Sequence, residues 1–253
     1  MRANIVIWIG VCASTLIGCG GSSGPAPVVT LPPPVVDAEP GGLWVGHITN
    51  DAQPGVNEDI IGVTTDSGEF RFFTGSQGQF NGTMTVNDNN ISGSGFGWAP
   101  LGFTWTDGSV LTPVNISGTV AERQQLSGNW STGTGETGTF TFSYSNLHQR
   151  SSSFAKLSAN WFYADGFVSA TITIDGNGLI SGSDTDGCLY NGQATIPDTA
   201  FNTYSLSFDI ANCGIFNGLY NGLAVLDDNN VQDDTLILSA DNGVVAMILP
   251  MAR

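Results

Sequence analysis

The sequence predicts an all-β protein, an antiparallel meander forming two small eight-stranded barrels behind a leader and a tether. Three observations predict it. Runs that alternate apolar and polar residues recur about every ten residues. Dipeptides that tolerate the positive φ of tight turns punctuate them: Asn81-Gly82, Asp107-Gly108, Asp165-Gly166, Asp175-Gly176 and Asn242-Gly243. Charged residues make up only 11% of the 253, and no long segment repeats its apolar positions at the helical period. Short strands joined this way make a barrel or a sandwich.

The elements follow in chain order. Arg2 precedes an apolar stretch from Ile5 to Ile17. At about 13 residues this is too short for a helix across ~30 Å of hydrocarbon, and it suits the core of a secretory signal peptide. It ends in Leu16-Ile17-Gly18-Cys19, which resembles the lipobox of bacterial lipoproteins. The resemblance implies that residues 1–18 are removed and that the Cys19 thiol takes up diacylglycerol. With two or three acyl chains, palmitate among them, the N-terminus would be a stable membrane anchor. Gly20 in place of Asp implies sorting to the outer membrane. Residues 19–41, rich in Gly, Ser, Pro and Val and containing Pro32-Pro33-Pro34, read as a disordered tether.

Strands are expected near 43–50, 58–65, 68–74, 78–87, 90–98, 110–120, 124–132 and 136–145, forming a first lobe over 42–146. Residues 147–157 (LHQRSSSFAKL) read as a short helical or 3₁₀ connector. A second lobe over 158–253 has strands near 159–165, 167–175, 178–185, 188–196, 203–211, 218–226, 234–240 and 244–249. Eight strands suffice to close a barrel that is filled by side chains or holds one small ligand. The sequence allows either two separate barrels or one continuous sheet.

Each set opens on a tryptophan, Trp44 within Gly41-Gly42-Leu43-Trp44-Val45-Gly46 and Trp161 after Leu157-Ser158-Ala159-Asn160. The second opening resembles the start of calycin barrels, where such a tryptophan plugs the base. Further segments are Leu126-Ser127-Gly128-Asn129-Trp130, Ser151-Ser152-Ser153-Phe154, Gly182-Ser183-Asp184-Thr185-Asp186-Gly187-Cys188 and Gly222-Leu223-Ala224-Val225-Leu226. Together they resemble a group of uncharacterised bacterial outer-membrane lipoproteins and, more distantly, the small barrels of transferrin-binding-protein-like lipoproteins. That resemblance implies the fold and the address. It carries over no activity and no functional residue.

Twenty-two acidic residues face six basic ones, a net charge of −16, so nucleic acid and anionic lipid surfaces are poor partners. With Cys12 in the leader and Cys19 acylated, Cys188 and Cys213 are expected to form a disulfide. A turn near Thr199-Ala200-Phe201 places them opposite each other, yet the same pairing puts Ser205 and Ser207 on the face of Ala194 and Ile196. A β-bulge or a register shift is therefore expected.

Asp227, Asp228, Asp233 and Asp234 are candidate calcium ligands, although such residues are also what turns select. Only His47 and His148 offer a near-neutral base, and no G-x-S-x-G, H-E-x-x-H or Cys-His set is present. Among the carboxylates, Glu58, Asp59, Glu69 and Glu136 could pair, as any of so many could. The expectation is a non-enzymatic binding module without a cofactor, its partner a protein or a glycan. A carrier of a small apolar ligand and a periplasmic inhibitor of a hydrolase are the alternatives. Trp98, Phe103 and Trp105, around the Gly- and Pro-punctuated stretch after Trp98, are the candidate partner-binding residues.

Overall fold

A computed structural model describes residues 36–100 and 102–253; the expected signal peptide, Cys19 and most of the expected tether lie outside them. The described chain forms two closed eight-stranded antiparallel barrels, each a simple meander. The first comprises β1 (Gly42–Thr49), β2 (Asn57–Thr64), β3 (Glu69–Thr74), β4 (Gln79–Asn87), β5 (Asn90–Trp98), β6 (Leu111–Ala121), β7 (Gln125–Thr132) and β8 (Thr137–Tyr144). The second comprises β9 (Ala159–Ala164), β10 (Ser169–Ile174), β11 (Leu179–Asp184), β12 (Leu189–Thr195), β13 (Tyr204–Ala211), β14 (Gly218–Asp227), β15 (Thr235–Asp241) and β16 (Ala246–Ala252). Between them lie a 3₁₀ turn (Asn146–Gln149) and one α-helical turn (Phe154–Leu157) capped by the Ser153 hydroxyl.

Alternation places Trp44, Phe70, Phe72, Leu126, Phe140 and Phe142 inside the first barrel. Trp161, Ile174, Tyr204, Phe208, Tyr220 and Leu236 fill the second. Each interior leaves only about 20 Å³, the room of one water. Both opening tryptophans are fully buried at the barrel base. Trp44 donates its indole N–H to Thr64 Oγ1 at 2.8 Å and Trp161 to the Leu157 carbonyl at 2.9 Å. Residues of the expected tether just before β1 are docked rather than loose. Ala38 N donates to the Asp88 carbonyl, and the Thr64 hydroxyl to the Pro40 carbonyl.

Four of the five turn dipeptides sit in turns. Asn81-Gly82 does not; it lies inside β4, with Gly82 facing Gly95 of β5. A Cβ on Gly82 would meet the Ser94 carbonyl at 2.3 Å and the Phe70 ring at 2.8 Å. The glycine serves close approach at a barrel corner, not a turn.

The Cys188–Cys213 disulfide is present. Its hairpin is shifted by one residue from direct opposition. Leu189 faces Ala211, so Ala194 faces Leu206 with both inside, and Ser205 and Ser207 point outward. Asn212, at φ 59°, turns the chain so that Cys213 reaches back to Cys188.

The barrels pack flank to flank as one compact unit. Leu43 and Val63 meet Leu223 and Val225, and Arg71 donates to Asp241 at 2.7 Å across the junction.

Candidate functional site

The turns of the first barrel gather at two ends. One end carries the β1–β2, β3–β4, β5–β6 and β7–β8 connections, and there the barrel opens into a cavity of about 210 Å³. Its wall is aromatic: Phe80, Trp98, Trp105 and Trp130. Its polar lining includes Asn50, Gln53 and Glu58.

Each aromatic is fixed by its element. Trp98 ends β5, opposite Gln79 and Leu111, and is only 6% exposed. Trp130 in β7 donates its N–H to the Thr49 carbonyl at 2.9 Å. Trp105 belongs to the β5–β6 loop, which folds back so that Trp105 N bonds the Ser109 carbonyl and the indole bonds the Gly97 carbonyl at 3.1 Å. Phe80 sits between the last two, its centroid 6.2 Å from Trp105 and 6.3 Å from Trp130. The indole N–H of Trp98 is different. It is buried and has no hydrogen-bond partner among the described residues. An unmade hydrogen bond of this kind costs about 1–3 kcal/mol.

The rim is acidic. Glu58 accepts from Ser76 N at 3.0 Å, Glu136 from Thr106 N at 3.1 Å, and Asp51 from the Thr137 hydroxyl at 2.7 Å. Ser109, whose backbone N–H donates to Asp107 at 2.9 Å, lowers the Asp107 pKa. No lysine or arginine among the described residues lies at this rim. Arg71 is in the inter-barrel junction, Arg123 stands over Phe201, Arg150 pairs with Asp228, Lys156 reaches Ser151 and Arg253 covers Trp161.

Of the sequence candidates, Trp98 and Trp105 come together in this wall. Phe103 stands outside it, 67% exposed on the loop. Trp130 and Phe80 belong to the wall although neither was among the sequence candidates; both fall near the ends of their strands, where an inward side chain faces the mouth. Glu58 and Glu136 are rim residues. Glu69 pairs with Arg71 at 3.2 Å, and Asp59 pairs with His47 at 2.9 Å on the outer wall. His148 is buried at the other end, its Nδ1 3.0 Å from the Tyr144 hydroxyl.

The acidic segment after β14 is closed by its own chain. Arg150 makes a two-pronged pair with Asp228 at 2.6 and 2.7 Å, reaches Asp233 at 3.3 Å, and holds the Asp228 pKa at about 2. Asp234 accepts the backbone N–H groups of Asn229, Asn230 and Val231, which lower its pKa. A guanidinium and backbone dipoles thus take the place a cation would have. Asp227 accepts from Asp228 N at 2.8 Å. The remaining cluster of possible ligands, Asp184 with Cys188 and Cys213, has its sulfurs tied in the disulfide.

The fold and site define a twin antiparallel barrel with an aromatic, acid-rimmed mouth. Compared with protein-family models, curated proteins and solved structures, the chain has no match.

Proposed function

We propose that this chain is a lipid-anchored outer-membrane lipoprotein that acts as a non-enzymatic binding module and presents the mouth of its first barrel to a partner. The anchor rests on Leu16-Ile17-Gly18-Cys19. The binding role is carried by one observation: the mouth holds a 210 Å³ cavity walled by Phe80, Trp98, Trp105 and Trp130 with Asn50, Gln53 and Glu58 beside them. Interiors of about 20 Å³ weigh against carriage of a lipid-sized ligand inside either barrel. The acid rim favours, as a second reading, a basic protein such as a hydrolase seated over the mouth.

Photo-crosslinking on intact cells tests the role. A benzoylphenylalanine introduced at Phe103, on the mouth loop, is expected to give a discrete adduct. The same group at Val231, equally exposed beyond β14, is expected to give none. Identical patterns at the two positions, or no adduct at either, would remove the mouth as a partner surface.

A further inference from the structure

We propose that one end of the second barrel docks on the interface of a zwitterionic membrane, its apolar turn tips entering the bilayer beside the protein's own lipid anchor. The end in question carries the β9–β10, β11–β12, β13–β14 and β15–β16 connections. This docking presupposes the anchor at Cys19 and goes beyond it by naming the face of the molecule that meets the bilayer.

Three of these four connections present a large apolar side chain to solvent. Phe167 tips the β9–β10 turn at 93% exposed, Ile215 the β13–β14 connection at 80% and Val244 the β15–β16 turn at 71%. Phe216 and Leu219 stand exposed behind Ile215. The tips are held in place by their own loops. Asp165 accepts from Phe167 N at 2.8 Å, and the Asn242 side chain accepts from Val244 N at 2.9 Å. The Cys188–Cys213 disulfide and the bond from Cys213 N to Asn217 at 2.7 Å brace the third. Side chains on so firm a frame have little ordering left to lose when they are buried. Standing on separate turns, they suit a fluid surface that closes around each one.

The tether approaches from the same side. Ser239 bonds Gln79 at 3.3 Å and Asn81 bonds Asp241 at 3.2 Å, so β4 and β15 run side by side in one direction at the junction. Followed onward, β15 leads to the Val244 tip. β4 leads to Asp88, whose N–H donates to Asp37 at 2.7 Å, next to the first described residue. Residues 19–35 span at most about 60 Å, which keeps the tips within reach of the surface that holds the lipid. Because β4 starts at the mouth of the first barrel, this docking leaves the mouth on the side away from the membrane. Charge selects the surface. Asp165 and Asp186 lie among the tips, and Arg71 on this side is buried and paired with Asp241. Anionic headgroups are therefore repelled, and a second copy would set one net charge of −16 against another. A zwitterionic interface meets neither penalty, and its hold grows with the apolar area it takes up.

The test uses the lipoprotein purified with its anchor and reconstituted in vesicles of phosphatidylethanolamine and phosphatidylcholine. Benzoylphenylalanine replaces Phe167, Ile215 or Val231 in turn, the last being 67% exposed at the opposite end of the same barrel. After irradiation, mass spectrometry is expected to find phospholipid adducts at Phe167 and Ile215 and none at Val231. With the group moved to Val244, the double substitution Phe167→Ser and Ile215→Ser should lower the lipid adduct about tenfold and leave the melting temperature unchanged. No lipid adduct at Phe167 or Ile215, an equal yield at Val231, or a Val244 yield that the double substitution does not change would each overturn the docking. So would a protein trapped at Phe167 on intact cells in place of lipid. The mass of the N-terminal peptide separates this docking from the anchor it presupposes. Acyl chains on Cys19 without a lipid adduct would keep the anchor and reject the docking. An unmodified Cys19 would remove the anchor and the docking with it.

Discussion

His148 lies 3% exposed, stacked on the Phe201 ring at 4.7 Å, and burial, followed by the Arg123 guanidinium, lowers its pKa to about 4. Asp198 opposes this weakly. The ordinary histidine value is ~6.5, so between those limits the unfolded chain binds a proton that the folded chain does not. Stability on this account is complete above about pH 6.5 and falls as pH drops toward 4, by on the order of 3 kcal/mol. Asp66, whose pKa burial raises, acts with the opposite sign at the lower edge of that window. Urea midpoints measured across this range should decline for the chain and flatten for His148→Phe, which keeps the stack but cannot charge. Parallel curves for the two would show that His148 is not the titrating group. Cys188 and Cys213 are a second residue-scale case. The loop they close spans 25 residues, so replacing both by Ser should cost about 3 kcal/mol by chain entropy. Reduction of the intact chain should lower the urea midpoint equally. Their pairing was legible from the count and from the compartment the leader led one to expect. The one-residue offset was legible only as a conflict between sulfur opposition and the serine faces, because the positive φ of Asn212 leaves no mark in the strand pattern.

Among the elements, the segment between β14 and β15 is the one whose chemistry the sequence leaves most ambiguous. Its aspartates read equally as calcium ligands or turn formers, and what separates the readings is Arg150, far away in sequence, pairing with Asp228 and Asp233. With those carboxylates occupied, millimolar calcium should leave the melting temperature unchanged. A rise of several degrees would mean that the ion displaces the guanidinium. Arg150→Ala should cost about 1 kcal/mol, since the pair is partly exposed. Strands were the legible part, because alternation and turn residues are local: all sixteen form near their expected places. Residues 83–86 with 91–94 (TMTV, ISGS) echo residues 171–174 with 180–183 (TITI, ISGS), and the echo falls on β4–β5 of one barrel and β10–β11 of the other. These are not equivalent positions, so the echo is a reused hairpin pattern. The mouth was half legible. Trp98 and Trp105 stood out beside a Gly/Pro loop, whereas nothing marked Trp130 and Phe80, since strand periodicity says which face a residue takes but not how near the barrel end it lies. Exchange of the exposed residues 102–104 for Gly and Ser should therefore leave the melting temperature unchanged. Any exchange that reaches back to Trp98 should lower it, because that side chain closes the barrel.

The packing of one barrel on the other comes from strands that break the alternation. Gly222-Leu223-Ala224-Val225-Leu226 is apolar on both faces, and Leu223 and Val225 point away from their own barrel into Leu43 and Val63 of the other. A half-buried strand would alternate, so the unbroken run was the available sign that both faces are covered. Beside it, Arg71 is buried in mid-strand between Phe70 and Phe72, donating to Asp241 at 2.7 Å and Glu69 at 3.2 Å, while Asn81 also donates to Asp241 at 3.2 Å. A buried cation is tolerable only while its partners stay in place, and removing one member of such a pair costs about 3–5 kcal/mol. Because Asp241 belongs to the second barrel, that cost falls on the junction as well as on β3. Calorimetry of the chain should show one cooperative transition. Arg71→Ala should lower the melting temperature by about 6–20 °C, at ~2–4 °C per kcal/mol for a domain of this size. Leu223→Asp, which puts a carboxylate among Leu43, Val63 and Val225, should separate the transition into two as the barrels lose their contact. Glu69→Gln serves as the control, since Glu69 is more than a third exposed and its loss should shift the transition little. Two transitions in the unaltered chain would mean that each barrel stands on its own core. The junction, with its buried arginine, would then be a contact the fold accommodates rather than one it depends on.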